Sequence, residues 1–291
     1  MNNLNIGIIG LGFVGGSILK SFEIKIKEYN LENKFKIYGY DKYKNGGVGC
    51  FDNCLDCDIL FLALPTLYNS ELKSYEYNPI YETCDLLEQK NYSGTIVLKS
   101  TIEPTITDEL GKKYKNLHFI HNPEFLTART AFEDFHNQQH IVLGKGMTCP
   151  DDKLDKIKYL FNLFYPSAEI SICKAIESES MKIYCNTFYA VKIQYFNELY
   201  LLCQKTGSDY NNVVNLMLKN GWINPMHTQI PGPDGQLSYG GLCFPKDTNA
   251  LLQFMKKNDV PHQVLEATIN ERNIFRDDHD NCNIKCNEKN N

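Results

Sequence analysis

Short apolar runs alternate with longer polar stretches through the first part of the chain. Asn5 to Ile9, Phe35 to Tyr40, Ile59 to Leu64, Thr95 to Leu98, His118 to Ile120 and His140 to Leu143 read as strands. Val14 to Tyr29 has helical character, and polar helical stretches separate the later runs. Strands alternating with helices predict a parallel sheet covered on both faces, a Rossmann-like doubly wound α/β domain. The pattern changes near Cys173. Tyr184, Phe188, Val191, Tyr195, Leu199 and Leu202 recur at steps of three and four, which predicts a long helix from Ala175 to Lys205, stopped by Gly207. Further helices are expected over Asp209 to Lys219, Asp247 to Lys257 and His262 to Phe275, with a Gly/Pro-rich loop from Gly221 to Gly241 between them. The domains are therefore set at 1–172 for the sheet and 173–276 for an all-helical second domain. The polar tail 277–291 is expected to be disordered.

The turn after the first strand reads Gly10-Leu11-Gly12-Phe13-Val14-Gly15 and opens a helix. Glycines there let the backbone turn tightly and approach a pyrophosphate at the positive end of that helix. Asp41 ends the second strand, where a carboxylate accepts from ribose hydroxyls and repels a 2′-phosphate, so NAD is favoured over NADP. Ala63-Leu64-Pro65-Thr66 and Lys99-Ser100-Thr101 end later strands, on the edge where such sheets bind ligands.

Composition narrows the field without choosing within it. The chain has 291 residues, 43% of them hydrophobic and 22% charged, as expected of a globular protein large enough for two domains. A net charge of -5 supplies no basic footprint for nucleic acid or an anionic membrane. No apolar run approaches a bilayer span, and Met1-Asn2-Asn3-Leu4 does not read as a signal peptide. Eleven cysteines without an export signal suggest free thiols in a reducing, cytoplasmic compartment. Cys50, Cys54 and Cys57 lack a second ligand pair at zinc spacing, so no metal is expected. His118 and His121 should face opposite sides of a strand and are read as structural.

Chemistry concentrates downstream. Gly240-Gly241-Leu242-Cys243-Phe244-Pro245-Lys246-Asp247 sets one cysteine between a glycine pair and a Pro-Lys-Asp run. A thiol can hold an aldehyde covalently while a second hydride leaves, and Lys246 or a helix N-terminus would favour its thiolate. Gly240 and Gly241 would permit close approach of a substrate. Asp247 could pair with Lys182 or orient a water. Glu124, in Asn122-Pro123-Glu124-Phe125-Leu126, could act as a general base on water; read alone, a loop glutamate is more often merely solvated. Lys182 and Asn186, four apart, would share a helix face able to hold an oxyanion.

Taken together, Gly10 to Gly15, Ala63 to Thr66, Lys99 to Thr101, Asn122 to Leu126, Lys182 to Asn186, Asn197-Glu198 and Gly240 to Asp247 resemble the UDP-glucose/GDP-mannose dehydrogenase family from about residue 4 to 275. That resemblance implies oxidation of a nucleotide sugar such as UDP-glucose to its uronic acid, with two NAD reduced per sugar. It implies a thiohemiacetal and then a thioester on Cys243, and Glu124 assisting thioester hydrolysis. Lys182, Asn186 and Asp247 would stabilise the oxyanion and organise water, with Thr101 supporting that network. For the cofactor it implies Gly10, Gly12, Phe13, Val14, Gly15, Asp41, Pro65, Thr66, Ser100, Thr101 and Lys246. For the substrate it implies Glu124, Phe125, Leu126, Lys182, Asn186, Gly240, Gly241 and Cys243, and the loop Ile230 to Gly235. It also implies a homodimer through the long helix.

Two departures stand out. The family's second glutamate is Ala128 here, and the chain ends after the helix that would lead into the family's third, nucleotide-binding domain. Two rival readings remain: a weakly catalytic NAD- or nucleotide-sugar-binding protein, and a two-electron hydroxyacid dehydrogenase, in which Cys243 has no task.

Overall fold

The isoleucine-rich run near the N-terminus forms strand β1 (Leu4–Ile9), and the glycine turn leads into helix α1 (Phe13–Glu28). Strand β2 (Phe35–Tyr40), the short helix α2 (Asp52–Leu55) and strand β3 (Ile59–Leu62) follow. A two-residue hairpin, β4 (Tyr68–Asn69) and β5 (Ser74–Tyr75), precedes α3 (Asn78–Gln89), β6 (Thr95–Leu98), α4 (Ile106–Lys113) and β7 (His118–His121). Then come α5 (Ala131–His136), β8 (His140–Lys145), α6 (Asp151–Phe164) and β9 (Glu169–Lys174). The remaining elements are helices: α7 (Ala175–Thr206), α8 (Tyr210–Lys219), α9 (Phe244–Lys257) and α10 (Gln263–Phe275). This computed structural model describes residues 4–278.

Two compact units emerge. The first runs to Thr66 and resumes over Tyr77–Lys182; the second takes in Leu67–Glu76 and the chain from Ile183 onward. The first is built on a seven-stranded sheet in the order β2-β1-β3-β6-β7-β8-β9. Side chains alternate across it, so Ile6, Ile8 and Phe61 enter one core with α1 and α6, while Ile9, Leu60 and Leu62 enter another with α3 and α4. Phe22 of α1 meets Phe61 and Phe164 edge-on at centroid separations of 5.5 and 5.0 Å. Such pairs add about 0.5–1.5 kcal/mol each beyond their buried area. Cys54 and Cys57 lie inside the second core, where burial pushes their thiols up to about 11 and about 12.

The sheet is mostly parallel, with one correction to the sequence reading. β7 pairs antiparallel with β8, and the unanticipated β9 continues parallel to β8. Strand direction is not written in local periodicity; here α5 and its flanking turns return the chain so that β8 runs back along β7. The second unit is also not wholly helical, because the β4–β5 hairpin belongs to it. Its helices α7, α8 and the loop before α9 enclose Phe196, Cys203, Tyr210, Val214 and Ile230. Gly207, at φ +76, terminates α7, and Asp209 caps α8 through the Asn212 N–H. Helix α9 starts at Phe244, three residues before the expected Asp247, because a proline is tolerated in a first turn.

Asp277 and Asp278 open the tail expected to be disordered. Asp278 instead accepts from the Arg272 guanidinium at 2.6 Å; the rest of that tail, 279–291, lies outside the described residues. Among the described residues no helix is long and apolar enough to cross a membrane, and the nine cysteines form no disulfide.

Candidate active site

In the first unit, the glycine turn is a backbone structure with no room for side chains. A Cβ on Gly15 would lie 1.8 Å from the Gly10 carbonyl oxygen, and Gly10 itself sits at φ +87 against the Ala63 carbonyl. Gly12 faces open space and begins α1 without a side-chain cap. The first-turn N–H groups at Phe13 and Val14 therefore form a cradle suited to a pyrophosphate. A cavity of about 320 Å³ borders it, lined in part by Gly12, Phe13, Ser17 and Arg129.

Asp41 does more than the sequence suggested. Its Oδ2 accepts the Leu11 N–H at 2.7 Å, and its Oδ1 accepts the N–H groups of Tyr43 and Lys44, both at 2.9 Å. Burial pushes its carboxyl up, but these donors outweigh it and hold the group below the usual carboxylate range. The carboxylate thus ties β2 to the glycine turn and, among the described residues, has one Oδ2 lone pair able to accept a further donor. The ends of β3 and β6 are stitched by hydroxyls: Thr66 Oγ1 donates to the Thr101 carbonyl at 2.7 Å, and Ser100 Oγ to the Leu64 carbonyl at 2.6 Å. Pro65 lies between Leu64 and Thr66 in this stitched turn.

Beyond β7, Glu124 is fixed at both oxygens. Lys182 Nζ lies 3.1 Å from Oε1, and the Leu126 N–H donates to Oε2 at 2.7 Å. The carboxylate side chain keeps 12% exposure, so it remains reachable from solvent. Phe125 is half exposed; its ring stacks on His140 and lies 5.6 Å from the Lys182 ammonium. Lys99 entered the sequence reading only as the first residue of the Lys99-Ser100-Thr101 strand end, with no role of its own. It is wholly buried and donates to Asn122 Oδ1 at 2.7 Å, while Asn122 donates to the Val142 carbonyl. Burial drives its ammonium down to about 7, against the pull of Glu124 and with the help of Lys182. The only sequence signal was its place one residue before Ser100. His121 is buried and bonded to Ser178 Oγ at 2.8 Å and the Ser100 carbonyl; burial takes it down to about 3, so it is a neutral structural group.

In the second unit, Cys243 is exposed and occupies the N-cap position of α9 without a side-chain capping bond. Asp247, one turn on, is fully buried. Lys246 Nζ reaches Oδ1 at 2.5 Å, Asn186 Nδ2 donates to Oδ2 at 2.6 Å, and the Tyr75 hydroxyl donates to Oδ1. Asp247 therefore takes Lys246 as its cationic partner; the pairing with Lys182, one of two alternatives the sequence offered, is not formed, and Lys182 is engaged by Glu124. Tyr75 carried no sequence signal at all. At Gly240 the close approach is made by Arg276, whose Nη1 would lie 2.2 Å from an added Cβ, while Gly241 needs its φ of +77. Arg276 also pairs with Asp234 at 2.8 Å and donates to the Leu237 and Ser238 carbonyls. Asn197 Oδ1 accepts the Ser238 N–H at 2.8 Å, so the loop before Cys243 is held on two sides.

Comparison with known proteins fits these features. Residues 17–164 match the UDP-glucose/GDP-mannose dehydrogenase family, NAD binding domain, and residues 176–273 match the central domain of the same family. The chain belongs to the UDP-glucose/GDP-mannose dehydrogenase family. It is 30% identical to UDP-glucose 6-dehydrogenase of Rickettsia bellii over 91% of this chain, and 25% identical to that of Streptococcus pneumoniae over 76%. The chain spans 66% and 56% of those two relatives' lengths. A UDP-glucose dehydrogenase from Pyrobaculum islandicum shares the fold at TM-score 0.76 and 21% identity, covering 93% of this chain and 68% of that one. A 3-hydroxyisobutyrate dehydrogenase from Mycobacterium tuberculosis shares it at TM-score 0.73 and 15% identity, covering 95% of each chain. Its NAD-binding half is thus that of a dehydrogenase family.

Proposed function

We propose that this family member oxidises a nucleotide sugar, UDP-glucose first among candidates, to its uronic acid by an NAD-dependent four-electron reaction. The observation that carries the reading is Cys243, exposed at the start of α9 with Lys246 and Asp247 in the next turn. A simple hydroxyacid dehydrogenase has no use for that thiol.

NAD bound at the glycine turn would accept the hydride released at each of the two oxidations. Gly10, Gly12, Phe13, Val14 and Gly15 would hold its pyrophosphate, Asp41 its ribose, and Pro65, Thr66, Ser100, Thr101 and Lys246 the remainder. The chain's own residues do the rest. The positive end of α9 favours a thiolate at Cys243. That thiolate adds to the sugar aldehyde, forming a C–S bond while the carbonyl electron pair moves to oxygen. Lys182 and Asn186 stabilise this oxyanion. Once the second hydride has left, the carbon is a thioester. Glu124 takes a proton from water as it adds, the C–S bond breaks, and the thiolate returns with the acid released. Asp247 and Thr101 organise that water. Phe125, Leu126, Gly240 and Gly241 would contact the sugar nucleotide.

The reading carries further proposals. An NAD-binding domain at 1–172 and a helical domain at 173–276 are supported by the two family matches, which meet between residues 164 and 176. A homodimer through α7 would cover Tyr184, Phe188 and Tyr195, each at least half exposed, with Val191 and Leu199 beside them. We assign the protein to the cytoplasm on its free thiols.

The test is NADH formation from NAD and UDP-glucose, beside Cys243→Ser. Two NADH per sugar from the native chain, and loss of this yield in the variant, are expected. One NADH per substrate, unaffected by Cys243→Ser, would favour the hydroxyacid dehydrogenase. NAD binding without turnover on any nucleotide sugar would favour a binding protein, a reading to which Ala128 lends weight.

A further inference from the structure

The segment Leu67–Glu76 leaves the sheet unit after β3 and belongs to the second unit. It is a built hairpin. Asn69 Oδ1 accepts the Glu71 and Leu72 N–H groups at 2.9 and 3.0 Å, Lys73 takes a left-handed conformation at φ +53, and the Glu76 N–H closes on the Leu67 carbonyl at 2.7 Å. Register pairs Tyr68 with Tyr75, and both are buried. Tyr75 presents its hydroxyl to Asp247 Oδ1 and its ring to Lys246, whose ammonium lies 4.7 Å from the ring centroid.

A carboxylate has about four lone-pair sites. In Asp247, Oδ1 takes two donors, Tyr75 and Lys246, and Oδ2 takes one, Asn186. Among the described residues one site remains, and it lies on Oδ2. A buried carboxylate with one donor fewer could rotate or draw in water, and its open site would not stay in one place. We propose that Tyr75 is a positioning residue for the reaction proposed above: its hydroxyl locks the Asp247 carboxylate so that a single oxygen edge is presented to the reacting water or alkoxide. The inference rests on that functional reading. It adds a residue 172 positions away from Asp247 in sequence, delivered by a hairpin that interrupts the nucleotide-binding unit.

Tyr75→Phe keeps the ring and its contact with Lys246 and removes only the hydroxyl. It should lower kcat about tenfold, the usual scale for a lost hydrogen bond to a charged group, with KM for NAD and sugar nucleotide within about twofold. A purely structural role would move Tm or both KM values and spare kcat, which would overturn the proposal. The contact itself is read without turnover by 19F NMR of 3-fluorotyrosine placed at position 75 alone. Its resonance should move between the native chain and Asp247→Asn; an unmoved resonance would overturn the proposal even if Tyr75→Phe fails to fold. A moved resonance in a protein that turns over no nucleotide sugar would sink the functional reading while supporting the Tyr75–Asp247 lock.

Discussion

Two carboxylates with lysine partners, one in each unit, are built in opposite ways. Glu124 follows a proline in a loop of the sheet unit; its ion pair with Lys182 leaves it partly exposed, and its second oxygen is held by a neighbouring N–H. Asp247 sits in the first turn of α9 in the other unit, fully buried, with three side-chain donors. A reachable carboxylate can exchange protons with water. A buried and nearly saturated one can only hold a geometry. The difference supports the roles proposed above, proton transfer for Glu124 and positioning for Asp247, although both are acids beside a lysine.

Stability should separate them first. Asp247→Asn sets an amide N–H₂ against buried donors and removes the charge that pairs Lys246, and should cost about 3 kcal/mol or more. Glu124→Gln keeps a carbonyl acceptor at a side chain that still reaches solvent, and should cost less, about 1–2 kcal/mol. Urea denaturation of both variants checks this, and equal losses would break the distinction. Activity should separate them the other way: Glu124→Gln should lower the rate of acid release about a hundredfold with little change in Tm, as steady-state and single-turnover NADH traces would record.

Lys99 sharpens the picture around Glu124. Its folded ammonium is lowered to about 7 from an ordinary 10.5, so between those values the unfolded chain binds the extra proton. Stability from this group therefore rises as pH climbs from about 7 toward 10.5, and its cost is fully present below 7. Calorimetry from pH 6 to 9.5 should show a gain in the native protein that Lys99→Met lacks. The smallest effect concerns the stitched strand ends. Thr66→Val should cost about 1 kcal/mol by leaving the Thr101 carbonyl without its hydroxyl donor.

What could be read in advance follows the range of the interactions. The glycine turn, β1, α1 and Asp41 were legible because one short stretch states their chemistry and periodicity. Glu124, Lys182, Asn186 and Cys243 stood out by motif, but their pairing did not. Pairing of Asp247 with Lys182 stayed open as one alternative, because sequence alone does not say that adjacent Lys246 folds back onto it. Strand β9 was missed because Glu169 to Lys174 alternates apolar and polar residues without an apolar run and has no fully buried position. The direction of β8 depends on how a loop returns, which no periodicity encodes. Tyr75 was invisible for the same reason in stronger form: a tyrosine in a polar stretch after β3 gains its meaning only from a residue in α9. The fold was thus open to a local reading, and the catalytic wiring was not.

The most direct test of the account is the mass of the protein after Glu124→Gln is mixed with NAD and UDP-glucose. If Cys243 carries the sugar and Glu124 releases it, intact-protein mass spectrometry should show an acyl adduct that maps to the Cys243 peptide and is absent from the double variant Glu124→Gln/Cys243→Ser. Unmodified protein alongside NADH production, or an adduct on any other residue, would contradict a thioester at Cys243.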